Sequence, residues 1–218
     1  MTPTWSCLLF DLDGTIIDSA PGIITSLAWT LDRLGRPVPS PAELLAYVGP
    51  PILDSFRDLA GMNAEQSRHA LDIYRPHYLQ TGIFNSSVYP GVPELLERIR
   101  KTGVPLALAT SKPELPALTA LQFYGLAHYF TVITGASEDE VRSNKADVVA
   151  EALLRLDVHG ADTSNPVMVG DRIHDIQGAA ANGVPTVFVE WGYGSTDEAA
   201  GALGIAGSAE RLATLLLG

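Results

Sequence analysis

Cysteine and lysine are scarce in this 218-residue chain. Cys7 is the single cysteine, so no disulfide can form within the chain, and we expect a protein of the reducing cytoplasm. The sequence contains three lysines, which are Lys101, Lys112 and Lys145. Its apolar runs are too short to span a bilayer, and its first residues lack the basic stretch and apolar run of a signal peptide. We therefore expect neither a membrane anchor nor a leader.

Positive charge is also limited, with 14 Lys and Arg residues against 25 Asp and Glu residues. The resulting formal net charge of -11 repels nucleic acid and anionic lipid, so we expect neither as a partner. The same charge repels any small anionic substrate, so a site for one would have to create its own local positive field. Apolar residues make up 46% of the chain, as in a globular protein, and a monomer is the default expectation.

Short apolar runs that alternate with helical patterns predict a parallel α/β sheet with helices on both faces. The predicted strands are Cys7–Leu12, Pro105–Ala109, Thr131–Thr134, Val167–Val169 and Thr186–Val189. The predicted helices of this unit are Val92–Lys101, Leu115–Tyr124, Ala146–Leu156 and Asp175–Asn182.

The stretch that follows the first strand contains residues typical of helix starts and ends, and few patterns typical of strands. It predicts helices over 21–34 and 52–59, another that starts at Ser40-Pro41, and one from Ala64 toward Leu79 that Pro76 ends or kinks. We therefore predict a helical cap domain over residues 16–87, inserted into an α/β core domain made of residues 1–15 and 88–218.

Polar residues follow several predicted strands directly. In an open parallel sheet the carboxyl ends of the strands form the ligand-binding edge, so these residues should meet there. The residues concerned are Asp11, Asp13, Thr110, Ser111, Lys112, Asp171 and Asp175, with Lys145 at the start of a helix. Carboxylates that converge repel one another unless a cation lies between them, and Mg²⁺ is a hard cation that prefers oxygen ligands.

These residue types are those that phosphoryl transfer requires. A carboxylate can attack phosphorus and form an aspartyl-phosphate. A second acid two positions later can protonate the leaving oxygen and then activate water. A hydroxyl and a lysine can hold the phosphate oxygens and stabilise the charge that develops on them.

Four segments resemble the motifs of the haloacid dehalogenase superfamily, in the same order and with similar spacing. Phe10–Thr15 resembles its first motif, Thr110–Lys112 its second, Lys145 its third and Gly170–Asp175 its fourth. The resemblance covers nearly the whole chain, and its pattern is most like that of phosphoglycolate phosphatase-like members, which include 5'-nucleotidase-like proteins. One departure is that Ala146 follows Lys145, where many relatives have proline.

The resemblance implies a Rossmann-like core, a helical cap that closes over the site, and a magnesium-dependent phosphatase. It implies that Asp11 is the nucleophile and a metal ligand. Asp13 is then the general acid and base, with its backbone carbonyl on the metal. Lys145 steadies the nucleophile and the phosphoryl oxygens.

The remaining implied roles concern phosphate and metal binding. Thr110 and Ser111 would bind the phosphate, although both could equally cap the next helix, either alone or while they bind phosphate at its N-terminus. Asp171 would bind Mg²⁺ directly, and Asp175 would hold a metal-bound water or Lys145.

Other members of the superfamily provide rival functions. A dehalogenase does not need the acid at position 13, and a phosphonate-cleaving enzyme needs a cap lysine that residues 16–87 lack. A sugar phosphomutase uses the same two aspartates and stays open, as does a non-catalytic binding protein on this fold. The substrate is equally open, because phosphoglycolate, another small ester and a nucleoside 5'-monophosphate all fit the pattern.

Overall fold

The computed structural model describes residues 5–139 and 141–218. Its strands are β1 (Cys7–Phe10), β2 (Ile17–Asp18), β3 (Ser87–Val88), β4 (Leu106–Pro113), β5 (Val132–Ala136), β6 (Pro166–Gly170), β7 (Thr186–Val189) and β8 (Gly204–Ala206). Six of them form one parallel sheet in the order β5-β4-β1-β6-β7-β8. The predicted parallel α/β class is confirmed.

The helices fall into two groups. The helices are α1 (Ala20–Arg33), α2 (Pro41–Leu44), α3 (Ile52–Asp58), α4 (Ala64–Gln80), α5 (Val92–Thr102), α6 (Glu114–Phe123), α7 (Lys145–Val158), α8 (Ile173–Ala180) and α9 (Ala209–Leu217). The first group, α1 to α4, is inserted between β2 and β3, and the second, α5 to α9, lies in sequence between or after the strands of the sheet. Among the described residues, no helix combines the length and the apolar character that crossing a bilayer requires.

The two faces of the sheet belong to two different apolar clusters. In β1, Leu8 and Phe10 pack into one cluster, whereas Cys7 and Leu9 pack into the other. All four side chains are buried. Side chains alternate between the faces of a strand, so a continuous apolar run is what a strand covered on both faces requires. The central strand that precedes Asp11 is therefore fixed from both sides.

The sequence patterns located the main strands, with two kinds of error. The strand predicted for 105–109 continues to Pro113, so Thr110 and Ser111 lie on the strand and not at the start of the next helix. Strands β2, β3 and β8 and helix α9 were not predicted. The strands contain two or three residues each, which is too short for an alternating pattern to be recognised.

Helices α1 to α4 lie in sequence between β2 and β3, which pair in antiparallel fashion. Ile17 pairs with Val88 and Asp18 with Ser87, so the chain leaves and rejoins the core at adjacent points. We call residues 16–87 the inserted segment. Its designation as a cap domain, with residues 1–15 and 88–218 as the core domain, stays a prediction.

Pro76 does not end α4, because the helix continues to Gln80. Tyr74 and Tyr78 lie on either side of the proline and are both buried. Their rings stack with centroids 5.5 Å apart. Packing of this face explains how the helix tolerates a residue that lacks an N–H group.

Candidate active site

Three neighbouring strands deliver the main candidate residues. Strand β1 lies between β4 and β6, and all three run in the same direction. Asp11 directly follows β1, Thr110 lies near the end of β4, and Asp171 directly follows β6. The carboxyl edge of the sheet therefore brings together side chains that are about 60 to 160 positions apart in sequence, as the rule for parallel sheets predicts.

A tight turn after β1 places the next acid. The Leu12 carbonyl accepts hydrogen bonds from the N–H groups of Thr15, Ile16 and Ile17, at 3.3, 2.9 and 3.0 Å respectively. Leu12 and Ile16 are fully buried, which anchors the turn in the core. The turn thereby fixes the position of Asp13, which lines a cavity described below.

Three carboxylates converge on one point. Asp11, Asp171 and Asp175 each offer an oxygen atom, and these atoms lie within 4.8 Å of one another. All three residues are buried. The Lys145 Nζ atom lies 2.9 Å from Asp11 Oδ1 and 2.8 Å from Asp175 Oδ1. It also donates a hydrogen bond of 3.1 Å to the Ala109 carbonyl.

Burial and mutual repulsion dominate the electrostatics of this cluster. Burial raises the pKa of Asp11 to about 6, although Lys145 opposes the shift. Burial, followed by repulsion from Asp175 and Asp11, raises the pKa of Asp171 well above its ordinary value. Burial alone would lower the pKa of Lys145, but the two neighbouring carboxylates outweigh it and raise that pKa. One ammonium therefore does not balance three carboxylates.

Asp171 is fixed by its neighbours. Thr15 Oγ1 donates to Asp171 Oδ1 at 3.1 Å, and the backbone N–H of Tyr193 donates to Asp171 Oδ2 at 2.8 Å. A Cβ atom at Gly14 would lie 2.2 Å from Asp171 Oδ2, and Gly14 has a φ of 82°. Only glycine satisfies both the close approach and the backbone conformation.

The donor set fits a divalent cation. Ionised Asp11, Asp171 and Asp175 with Lys145 carry an excess of two negative charges, and their oxygens are hard ligands. Among the described residues, Asp11 Oδ1 and Asp175 Oδ1 are buried without a hydrogen bond of good geometry, although Lys145 lies at ion-pair distance. Buried oxygens without hydrogen bonds are costly unless another group binds them.

Asp13 belongs to a second, separate ion pair. Lys112 Nζ donates to both carboxylate oxygens of Asp13 at 3.0 Å. Both residues are largely buried, and the same ammonium lies 4.7 Å from the centroid of the Tyr78 ring. Tyr78 comes from α4, so the inserted segment reaches the proposed acid through Lys112. The Asp13 carboxylate lies outside the three-carboxylate cluster, and a metal contact through its backbone carbonyl stays a prediction.

Thr110 and Ser111 both lie near the carboxyl end of β4, at the candidate site. Thr110 is buried, and its hydroxyl accepts a 3.3 Å hydrogen bond from the N–H of Lys112. Helix α6 has Pro113 at its N-cap position with no side-chain cap, so neither residue caps it. Ser111 lines two adjoining cavities.

These two cavities lie between the inserted segment and the core. One, of about 300 Å³, includes Asp13 and Lys112 together with three tyrosines of the inserted segment. The other, of about 520 Å³, includes Lys145 and His174. Gly49 and Pro50 line both, so this part of the inserted segment lies along the boundary between them.

Sequence reasoning missed the contacts that position the predicted residues. Lys112 lies within the second motif but has no predicted role, and the loop that contains Tyr193 is absent from the predicted site. Trp191 in that loop also donates a 3.1 Å hydrogen bond to the Thr15 carbonyl. The signal was available, because this loop follows β7 at the same edge of the sheet.

Comparison with known proteins identifies the family. The family model of the haloacid dehalogenase-like hydrolases matches residues 8–189. The chain belongs to this family. The superfamily predicted from the four motifs is confirmed.

Individual relatives cover most of the chain. Over 87% of its own length, this chain is 44% identical to the tyrosine-protein kinase PtkA of Mycobacterium tuberculosis. The matched region is only 64% of the length of PtkA. The chain is 37% identical to a 5'-nucleotidase of Pseudomonas aeruginosa, over 88% of this chain and 85% of that one. The crystal structure of a predicted phosphatase from Clostridium acetobutylicum shares 35% identity, covers 97% of each chain and superimposes with a TM-score of 0.91.

The central role of Lys145 leads to a stability prediction. In the Lys145→Met variant, the buried carboxylates lose their shared ammonium, and we expect unfolding in metal-free buffer to require about 3–5 kcal/mol less free energy. Urea denaturation in the presence of a chelator measures the difference.

Lys101→Met is the matched control. Lys101 lies 3.6 Å from Glu97 and is 68% exposed, so its loss should cost less than about 1 kcal/mol. Equal losses in the two variants would contradict the role assigned to Lys145.

Proposed function

We propose that this chain is a magnesium-dependent phosphatase that hydrolyses a small phosphate monoester through an aspartyl-phosphate. The observation that carries the proposal is the pair of separate ion pairs, Asp11 with Lys145 and Asp13 with Lys112. They place two acids that are two positions apart in different environments, so the two carboxyl groups can take different roles. The 5'-nucleotidase and phosphatase names of relatives support the same reaction.

Asp11 acts as the nucleophile. One carboxylate oxygen attacks phosphorus, the bond from phosphorus to the ester oxygen breaks, and Asp13 supplies a proton to the leaving oxygen. In the second step Asp13 removes a proton from water, which attacks the aspartyl-phosphate and releases inorganic phosphate. Asp11 returns as a carboxylate and Asp13 as an acid, so the cycle closes.

The surrounding residues hold these groups in place. Lys145 contacts Asp11 and Asp175 together, so it fixes the nucleophile and can balance charge on the phosphoryl oxygens. The Thr110 hydroxyl and Ser111 lie at the end of the neighbouring strand, where they would bind phosphate.

Asp11, Asp171 and Asp175 would hold the metal, with the backbone carbonyl of Asp13 as a further ligand. When bound, Mg²⁺ would offset the excess negative charge and stabilise charge on the transferring phosphoryl group. Thr15 and the Tyr193 N–H keep Asp171 aimed at this position.

The cavity beside Asp13 favours a leaving group with an apolar or aromatic surface. Apolar and aromatic side chains form much of its wall, including Tyr47, Tyr74, Tyr78, Ile52 and Leu115. A nucleoside can stack on such rings. The carboxylate of phosphoglycolate would instead require a cation. Lys112 and Arg75 both line this cavity, and the Lys112 ammonium is engaged by Asp13, so that carboxylate would have to pair with Arg75.

Transfer to a hydroxyl other than water is the second candidate. It is favoured by 44% identity to relatives that are named as tyrosine-protein kinases. The same aspartyl-phosphate would form, but a phosphorylated acceptor would appear in place of inorganic phosphate. Measuring both products in one assay distinguishes this function, or a phosphomutase, from hydrolysis.

The nucleophile is tested by Asp11→Asn. The amide cannot form the phosphorylated intermediate, so we expect kcat to fall by a factor on the order of 10⁴ or more. Steady-state phosphate release measures the loss, and circular dichroism checks the fold. The exposed Asp157→Asn variant should retain wild-type activity, and comparable activity in Asp11→Asn would refute the assignment.

Metal binding is tested by thermal melting with and without Mg²⁺. We expect Mg²⁺ to stabilise the wild type, by about 2.7 kcal/mol at 100 times its Kd, and chelation to stop phosphate release. Asp171→Asn should lose the Mg²⁺ effect, while its metal-free form melts no lower than the wild type because one repulsive charge is gone. Full activity in excess chelator would contradict the metal assignment.

Substrate preference is tested with a panel of phosphorylated metabolites. We expect kcat/KM for a nucleoside 5'-monophosphate to exceed that for phosphoglycolate about ten-fold, since stacking on an aromatic side chain contributes about 1 kcal/mol or more. The opposite ranking would contradict the interpretation of the cavity.

A further inference from the structure

Arg172 joins the loop after β6 to the inserted segment. It immediately follows Asp171, and its side chain is only 16% exposed. Its Nη1 atom donates a 2.6 Å hydrogen bond to the backbone carbonyl of Val48, which belongs to the inserted segment. A direct link therefore connects a residue next to a proposed metal ligand with a residue 124 positions away.

The guanidinium is held from the core side by Glu198. Arg172 Nε donates to Glu198 Oε2 at 2.9 Å, and the same oxygen accepts the N–H of Ile173 at 2.9 Å. Glu198 therefore binds both the arginine and the first turn of α8. Its carboxylate also balances the charge of Arg172, so the contribution of the arginine is mainly geometric.

The partner of Arg172 is the short segment Val48-Gly49-Pro50-Pro51, which we call the 48–51 segment. Pro50 and Pro51 have no N–H group, so the backbone cannot donate a hydrogen bond at either position. A Cβ atom at Gly49 would lie only 3.0 Å from Arg172 Nη1 and 3.4 Å from its Cγ. The guanidinium and the stem of Arg172 thus both pack closely against this backbone.

The position of the 48–51 segment gives this contact its significance. Gly49 and Pro50 line both cavities, and Ser111 of the core lines them as well. A shift of the segment would change the shape of the space beside Asp13. The residue that fixes the segment therefore influences which leaving groups fit.

From these contacts we propose that Arg172 is a positioning residue that determines leaving-group specificity through the 48–51 segment. The proposal rests on the phosphatase function proposed above. In it, Arg172 does not touch the reacting atoms. Arg172 influences binding of the leaving group, which faces the inserted segment. The effect of replacing Arg172 on KM should therefore depend on the size of the leaving group.

Two substrates separate positioning from chemistry. The aromatic leaving group of 4-nitrophenyl phosphate reaches the cavity, whereas the acetate of acetyl phosphate is small and extends little beyond the phosphoryl site. In Arg172→Met, we expect KM for 4-nitrophenyl phosphate to rise about ten-fold or more, the effect of losing a charge-assisted hydrogen bond, with kcat within about three-fold. For acetyl phosphate, both constants should stay within about three-fold of the wild type.

Arg172→Lys and Arg155→Met complete the series. Lysine keeps the charge but cannot span Glu198 and Val48 in the same planar geometry, so it should resemble methionine. Arg155 is a matched control, because it also binds carboxylates, those of Glu151 and Glu114, and one backbone carbonyl, that of Ile133. Its Met variant should leave the ratio between the two substrates unchanged.

Hydrogen exchange provides a readout that does not require turnover. In Arg172→Met, we expect faster amide exchange in peptides that cover residues 45–58, and no such change in Arg155→Met. If neither ester is hydrolysed by the wild type, the phosphatase function fails while this measurement still tests the Arg172 contact. Unchanged exchange, equal losses on both substrates, or a wild-type-like lysine variant would overturn the proposal.

Discussion

The repulsion among three buried carboxylates is the constraint on which the site depends. Asp11, Asp171 and Asp175 come from two separate parts of the chain, and the sheet forces them together. Lys145 offsets part of their charge, and its position at the first turn of α7 makes that helix part of the site. The fold and the chemistry are therefore linked, because the packing that builds the sheet also creates the charge that a cation would neutralise.

A second consequence is the separation of the two lysines. Lys145 contacts Asp11, the proposed nucleophile, inside the cluster, and Lys112 contacts Asp13 at the edge of the cavity. Tyr78 lies over Lys112, so the inserted segment contributes to the surroundings of the proposed acid. In the proposed mechanism, recognition of the leaving group and activation of the nucleophile therefore depend on different lysines.

Much of this arrangement was predictable from the sequence, because it follows from local rules. Apolar runs located the central strands, and the residues after them had to meet at one edge. The contacts that orient these residues were not predictable in the same way. Two of these contacts involve backbone groups. The Tyr193 N–H donates a hydrogen bond to Asp171, and Arg172 donates one to the Val48 carbonyl. Every residue type carries the same backbone carbonyl, and all but proline carry the N–H, so the sequence pattern does not indicate which of these groups takes part. Helix α4 continues past Pro76 to Gln80, and the tertiary packing of Tyr74 and Tyr78 that supports it there is likewise not visible in the sequence pattern.

The pairing of β2 with β3 also bears on how this architecture can vary. Ile17 and Val88 are partners, so about 70 residues are attached through two backbones that lie about 5 Å apart. Such a junction places almost no demand on the length or shape of what it carries. A different insertion could be accommodated there without disturbing the register of the sheet, which would leave the catalytic edge intact while substrate selectivity diverged.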